Sequence, residues 1–147
     1  MSFESEEEIT ARVRSVRVGS STFDVHEGII DDDYLITILP TSHSFKPVIV
    51  MTYGGGTETA RRYQHLCGAA MDSEQKIFTV TVIGTEDKST RRVIDQVKKS
   101  LKGFEPTNCG EIRPALYAST TGRSTLGSPT RYTAVQSFTY MSNADPS

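Results

Sequence analysis

Apolar residues recur along the chain in two rhythms. In the first, Ile9, Val13 and Val16 fall at i, i+4 and i+7 and make one stripe of an amphipathic helix. Ser5-Glu6-Glu7-Glu8 precedes the stripe and reads as a capping box, in which serine hydroxyl and glutamate carboxylate satisfy exposed N–H groups at the helix start. Gly19 is expected to end this helix. Arg12, Arg14 and Arg17 lie off the stripe and read as a solvated face. The same rhythm returns in Val93, Ile94, Val97 and Leu101. Thr85 is the expected cap of that second helix, Lys98, Lys99 and Lys102 suit its negative end, and Gly103 suits the position just past it.

The second rhythm has period two. Phe23 to Glu27 alternates until Gly28. Tyr34 to Leu39 and Val48 to Tyr53 are apolar at successive positions, which predicts strands covered on both faces. In Ile77 to Ile83, Phe78, Val80 and Val82 point one way and Thr79 and Thr81 the other. Tyr132 to Met141 alternates again and predicts a last strand. The stretch 57–67 fits either a strand over Arg62 to Leu66 or a short helix, with the strand favoured. Leu116 to Thr130 is rich in Ser, Thr and Gly, holds Pro129, and reads as a mobile loop. The expected organisation is one domain over 1–141, then a flexible tail over 142–147.

The junction Gly84-Thr85-Glu86-Asp87-Lys88-Ser89 looks like a phosphate loop: a glycine after a strand, then Lys-Ser at a helix start. The chemistry argues otherwise. A phosphate loop needs G-x-x-x-x-G-K-[ST], with a second glycine that lets backbone N–H groups turn around the anion. Here Glu86 and Asp87 occupy that place and would repel it. Other constellations are as thin. Asp31-Asp32-Asp33 reads as a turn before a strand rather than a cation site. His65 and Cys67 lack an orienting third group for nucleophilic catalysis. His26 and His43 stand alone, and Gly54-Gly55-Gly56 reads as a turn. The expectation is a protein that is not an enzyme and uses no cofactor or metal.

Bulk composition narrows the class further. The chain has 147 residues, a formal net charge of −2 and two cysteines. That balance gives no reason to expect specific nucleic-acid binding, and so few cysteines do not make a disulfide scaffold. No apolar run is long enough to span a membrane, and MSFESEEEIT is not expected to be a signal peptide, so a cytoplasmic setting is expected. Two helices cover one face of a five- or six-stranded sheet. The two-sided apolar strands then predict that either a further strand packs over the second face or sister copies shelter it, as closed rings do, with sister copies favoured.

The order of signals resembles one family. EEITARVRSV, an aromatic-Asp strand, an apolar strand ending in glycines, RRYQHLCGAAMDSEQKIFTVTVIGT, VIDQVKKSLKGFEP, CGEIRP, a polar loop and RYTAVQSFTY together are similar to the tail terminator proteins of long-tailed bacteriophages, especially those infecting actinobacteria. The likeness covers roughly residues 5–140, with Tyr34 to Lys46 outside the pattern. It implies an α+β subunit, a mostly antiparallel sheet with two main helices on one face. It also implies a homo-hexameric ring in the virion neck, assembled in the bacterial cytoplasm. The ring would bind the tail tube protein, end tube polymerisation and join the head-completion or connector protein, with genome DNA passing through its lumen. Alternatives are another neck or tube component, a small Cys67/His65 enzyme, or a monomeric ligand-binding domain. The resemblance assigns no functional residues. On physical grounds, the loop around Arg123, the tail after Met141 and the tip from Gly54 to Arg61 and Arg62 are the expected interface segments. Arg12, Arg14 and Arg17 are expected to pair with Glu6, Glu7 or Asp31–Asp33 of a neighbour.

Overall fold

A computed structural model describes residues 4–28, 45–54, 73–107, 109–115, 120–124 and 131–143. The elements are α1 (Glu4–Arg14), β1 (Val25–Glu27), β2 (Val48–Tyr53), β3 (Ser73–Gly84), α2 (Asp87–Leu101), β4 (Arg113–Pro114), β5 (Thr120–Ser124) and β6 (Arg131–Asn143). The sheet order is β1-β2-β3-β6-β4, with β5 also on β6. β1 joins β2 in parallel and the other pairings are antiparallel, so this α+β chain carries a mixed sheet. Its spine is the β3–β6 ladder, in register from Ser73↔Asn143 to Gly84↔Tyr132.

Both helices pack on the same sheet face. Ile9, Val13 and Val16 of the first stripe meet Val93, Ile94, Val97 and Leu101 of the second over Ile49, Met51, Phe78, Val80, Val82, Phe138 and Tyr140. The rings of Phe78 and Phe138 stack at 5.2 Å, and Tyr140 meets Phe78 edge-on at 6.0 Å. Each fully buried aromatic contributes about 1.5–3 kcal/mol by area alone, so this cross-strand pair anchors the ladder.

β2 is buried on both faces within a single chain. Ile49 and Met51 face the helices, while Val48 and Val50 join Ile83 and the half-buried Phe45 on the other side. For this strand the cover therefore comes from within the chain, the other of the two expectations. Among the described residues, Ile77 and Met141 are the exposed large hydrophobics.

Three local expectations also change. Ser5 is inside α1 and buried, its hydroxyl 3.2 Å from that of Tyr140, and Glu8 accepts from Thr107, so the capping box does not form. α1 ends at Arg14; Gly19 (φ 63°) instead serves a tight turn closed by paired Val18 and Ser21 bonds. α2 starts at Asp87 without a side-chain cap, because the Thr85 hydroxyl reaches the Phe45 carbonyl. The expected loop 116–130 contains β5, whose five residues pair with β6. By contrast, Gly103 (φ 83°) does follow the last turn of α2, where a left-handed backbone favours glycine. The predicted strand 34–39 and the stretch 57–67 lie outside the described residues, as do residues 144–147 of the tail.

Gly84 answers the question its loop raises. A Cβ there would lie 2.6 Å from the Thr90 hydroxyl and 3.3 Å from the Pro47 ring. The glycine lets the first turn of α2 close onto β3, which is a packing requirement.

Candidate subunit interface

The mid-helix hydroxyl of Thr10 is buried and stands at the hub of a polar cluster. It donates to the Glu27 carboxylate at 2.8 Å and touches the Tyr53 hydroxyl. Tyr53 also lies 3.0 Å from the Glu6 carbonyl. Two hydroxyl protons serve these three contacts. Thr10 gives its proton to the Glu27 carboxylate, and the Tyr53 O–H is shared between the Glu6 carbonyl and the Thr10 hydroxyl.

Burial sets the acid–base character of this cluster. Partial desolvation raises the Glu6 carboxyl above its ordinary value; Lys76 pulls it back and Glu27 pushes it further up. Desolvation also drives the Tyr53 phenol well upward against the hydrogen bond shared with Thr10, so it stays protonated and donating. At the edge of the cluster Glu8 behaves in the opposite way. Thr107 gives it both its hydroxyl (2.6 Å) and its backbone N–H (2.7 Å), which lower its proton affinity. These bonds tie α1 to the segment that follows α2.

The six arginines singled out by sequence are distributed unevenly. Arg12 is exposed but already has contacts within the chain. Its Nε donates to the Ser100 carbonyl at 2.6 Å and its guanidinium lies 4.3 Å over the Phe104 ring. A cation at the negative end of α2 is the physical reason it is held there. Arg14 and Arg17 are exposed beside it. Arg123 lies in β5, in register with Tyr132. Arg61 and Arg62 lie outside the described residues, as do Asp31–Asp33, His43, His65 and Cys67. The structure thus places Arg12, Arg14 and Arg17 on or just after one helix and Arg123 on a sheet edge.

Sequence reasoning missed Thr10, Tyr53 and Glu27. A threonine beside Ile9 and three residues before Val13 is the one signal that could have flagged a buried hydroxyl. It also missed a half-open groove of about 480 Å³ at the start of α2. Phe23, Phe45 and Pro47 give it apolar walls, and Lys46, Arg92 and Glu86 line it with mixed charge. Among the described residues no group of three or more His, Cys, Asp or Glu could hold a metal ion, and no helix is long and apolar enough to cross a membrane.

Compared with known protein families and with curated proteins, the sequence matches none.

Proposed function

We propose that this chain is a structural subunit that closes into a ring, six-membered by its resemblance, and caps the tail tube of a long-tailed phage. The observation that carries the reading is element order. A leading helix, a long Thr/Val strand running directly into a helix, a short strand at Arg113–Pro114 and a long final strand support it. The ring matches the tube on one face only, so further tube subunits find no complementary edge and growth stops. The other face is left for the head-completion or connector protein. The reading does not lean on unsheltered apolar surface, since both faces of β2 are covered within the chain.

The test is the mass of the purified protein in solution together with negative-stain images, followed by its addition to growing tail tubes. Closed rings with a central hole and the mass of six chains, which fix tube length when added, are the expected outcome. Open-ended tubes made by this protein alone would make it the tube subunit. Monomers that leave tube growth unchanged would remove the reading.

A further inference from the structure

We propose that neighbouring copies in the ring join edge to edge, with β5 of one copy adding to the outer side of β1 of the next. This inference rests on the ring reading and names the surface that makes it. The sheet ends in two different edges, β1 on one side and the β4–β5 ribbon on the other, and no described strand pairs with the outer side of either. Joining unlike edges is a head-to-tail contact, which repeats around a closed ring.

Backbone direction shows which part of the ribbon is open. The Ala115 N–H donates to the Ser137 carbonyl, and the Gly110 N–H to that of Met141. Odd-numbered residues of β6 therefore turn their backbone groups towards the ribbon. In the β5 register Thr120, Gly122 and Ser124 oppose such residues, which leaves Thr121 and Arg123 to present N–H and C=O outward. Pro114, which opposes Phe138, takes the matching outward position in β4 and has no N–H to offer. The ribbon is also stepped. The β5 register on β6 is offset from that of β4 by three residues. Proline is a usual guard of a sheet edge, and it protects β4 while β5 has none.

Charge selects the occupant. Arg113, Arg123 and Arg131 lie along the ribbon and the start of β6; Arg113 also pairs with Glu111 at 2.9 Å, and among the described residues the Arg131 Nε is buried without a hydrogen-bond partner. Pairing β5 with another β5 would bring these like charges together. The β1 edge carries Asp24 and Glu27, both exposed. There the Asp24 carbonyl and the Gly28 N–H bond to β2, and Val25 between them turns its backbone outward. A basic edge meets an acidic one, and β strands complete the join.

The experiment compares ring formation by the full chain and three variants in sedimentation velocity and native mass spectrometry. Thr121→Pro removes one outward donor without touching the β5–β6 ladder. Arg123→Glu and Asp24→Arg each set like charges across the join. Each variant should keep the wild-type melting curve and weaken association about tenfold or more. Combining Arg123→Glu with Asp24→Arg in one chain should restore it, because every join then regains an opposite pair. Rings that form equally well in all variants would overturn this edge assignment and leave the ring reading standing. A wild-type chain that stays monomeric at about 100 µM, alone and with tail tubes, would overturn both.

Discussion

The two faces of the sheet are built from the same strands and differ in almost every respect. On the helix side β3 and β6 offer Phe78, Val80, Val82, Phe138 and Tyr140, all buried, together with the buried amide of Gln136. On the other side the same strands offer Thr79, Thr81, Val135, Ser137 and Thr139. One face gains stability by removing large side chains from water. The other is a ladder of small hydroxyl and β-branched residues, such as the Thr79–Ser137 contact at 3.1 Å, and gains through strand propensity and cross-strand pairs. The lesson is that alternation along a strand fixes which side holds the core but not how far the other side is wet. Thr81 is 2% exposed although it sits among the hydroxyls.

The strongest way to break the comparison is to truncate one residue on each face. Phe138→Ala should lower the unfolding free energy by about 3–5 kcal/mol, whereas the adjacent Thr139→Ala should cost about 1 kcal/mol or less. Urea denaturation of both variants measures the difference; equal losses would mean that the hydroxyl face is as much a core as the other.

A smaller effect sharpens the boundary between the two kinds of surface. Among the described residues the buried Thr81 hydroxyl has no hydrogen-bond partner; it lies opposite Val50 and Val135 in register. Thr81→Val removes an unsatisfied polar group at nearly constant volume. It should stabilise the protein by about 1 kcal/mol, read as a rise in melting temperature. A fall would show that the hydroxyl has a partner after all.

The smallest effect lies at the rim of the helix-covered face, and it depends on pH. Thr107 lowers the proton affinity of Glu8, so this contact stabilises the fold above the ordinary carboxylate range and is lost as pH falls through the depressed folded value. Glu6 acts in the opposite sense. Its raised proton affinity makes the folded state gain stability as pH falls, and its contribution is lost as pH rises through the raised value. In a Glu6→Gln background the melting-temperature gap between Glu8 and Glu8→Gln should therefore close between about pH 6 and about pH 3. A gap that stays constant would mean that Glu8 does not hold Thr107.

The faces themselves were legible in the residues. Val48 to Tyr53, Ile77 to Ile83, the Val93–Leu101 stripe and Tyr132 to Met141 each repeat one rhythm strongly enough for local pattern to decide. β5 was not legible, because TTGRS has no apolar alternation and becomes a strand only by borrowing the ladder of β6. The start of α1 was misread for a related reason. Ser5 and Glu8 have the right types and spacing for a local cap, yet Tyr140 and Thr107 claim them from far along the chain. Arg12 looks free in the sequence, and only the fold brings Ser100 and Phe104 beneath it.

The position of β6 has a consequence for how the molecule is made. Among the described strands it is the last to be synthesised, yet it lies inside the sheet between β3 and the ribbon. The Phe138 and Tyr140 rings that complete the core therefore arrive after every helix they rest against. A nascent chain on the ribosome holds α1, α2 and β3 with their apolar sides waiting, and closing the ladder spans some fifty to seventy intervening residues, at a loop-closure cost that slows such non-local contacts. Folding of this core is thus a late and nearly single event, and until it happens the unfinished chain is a natural client for a chaperone.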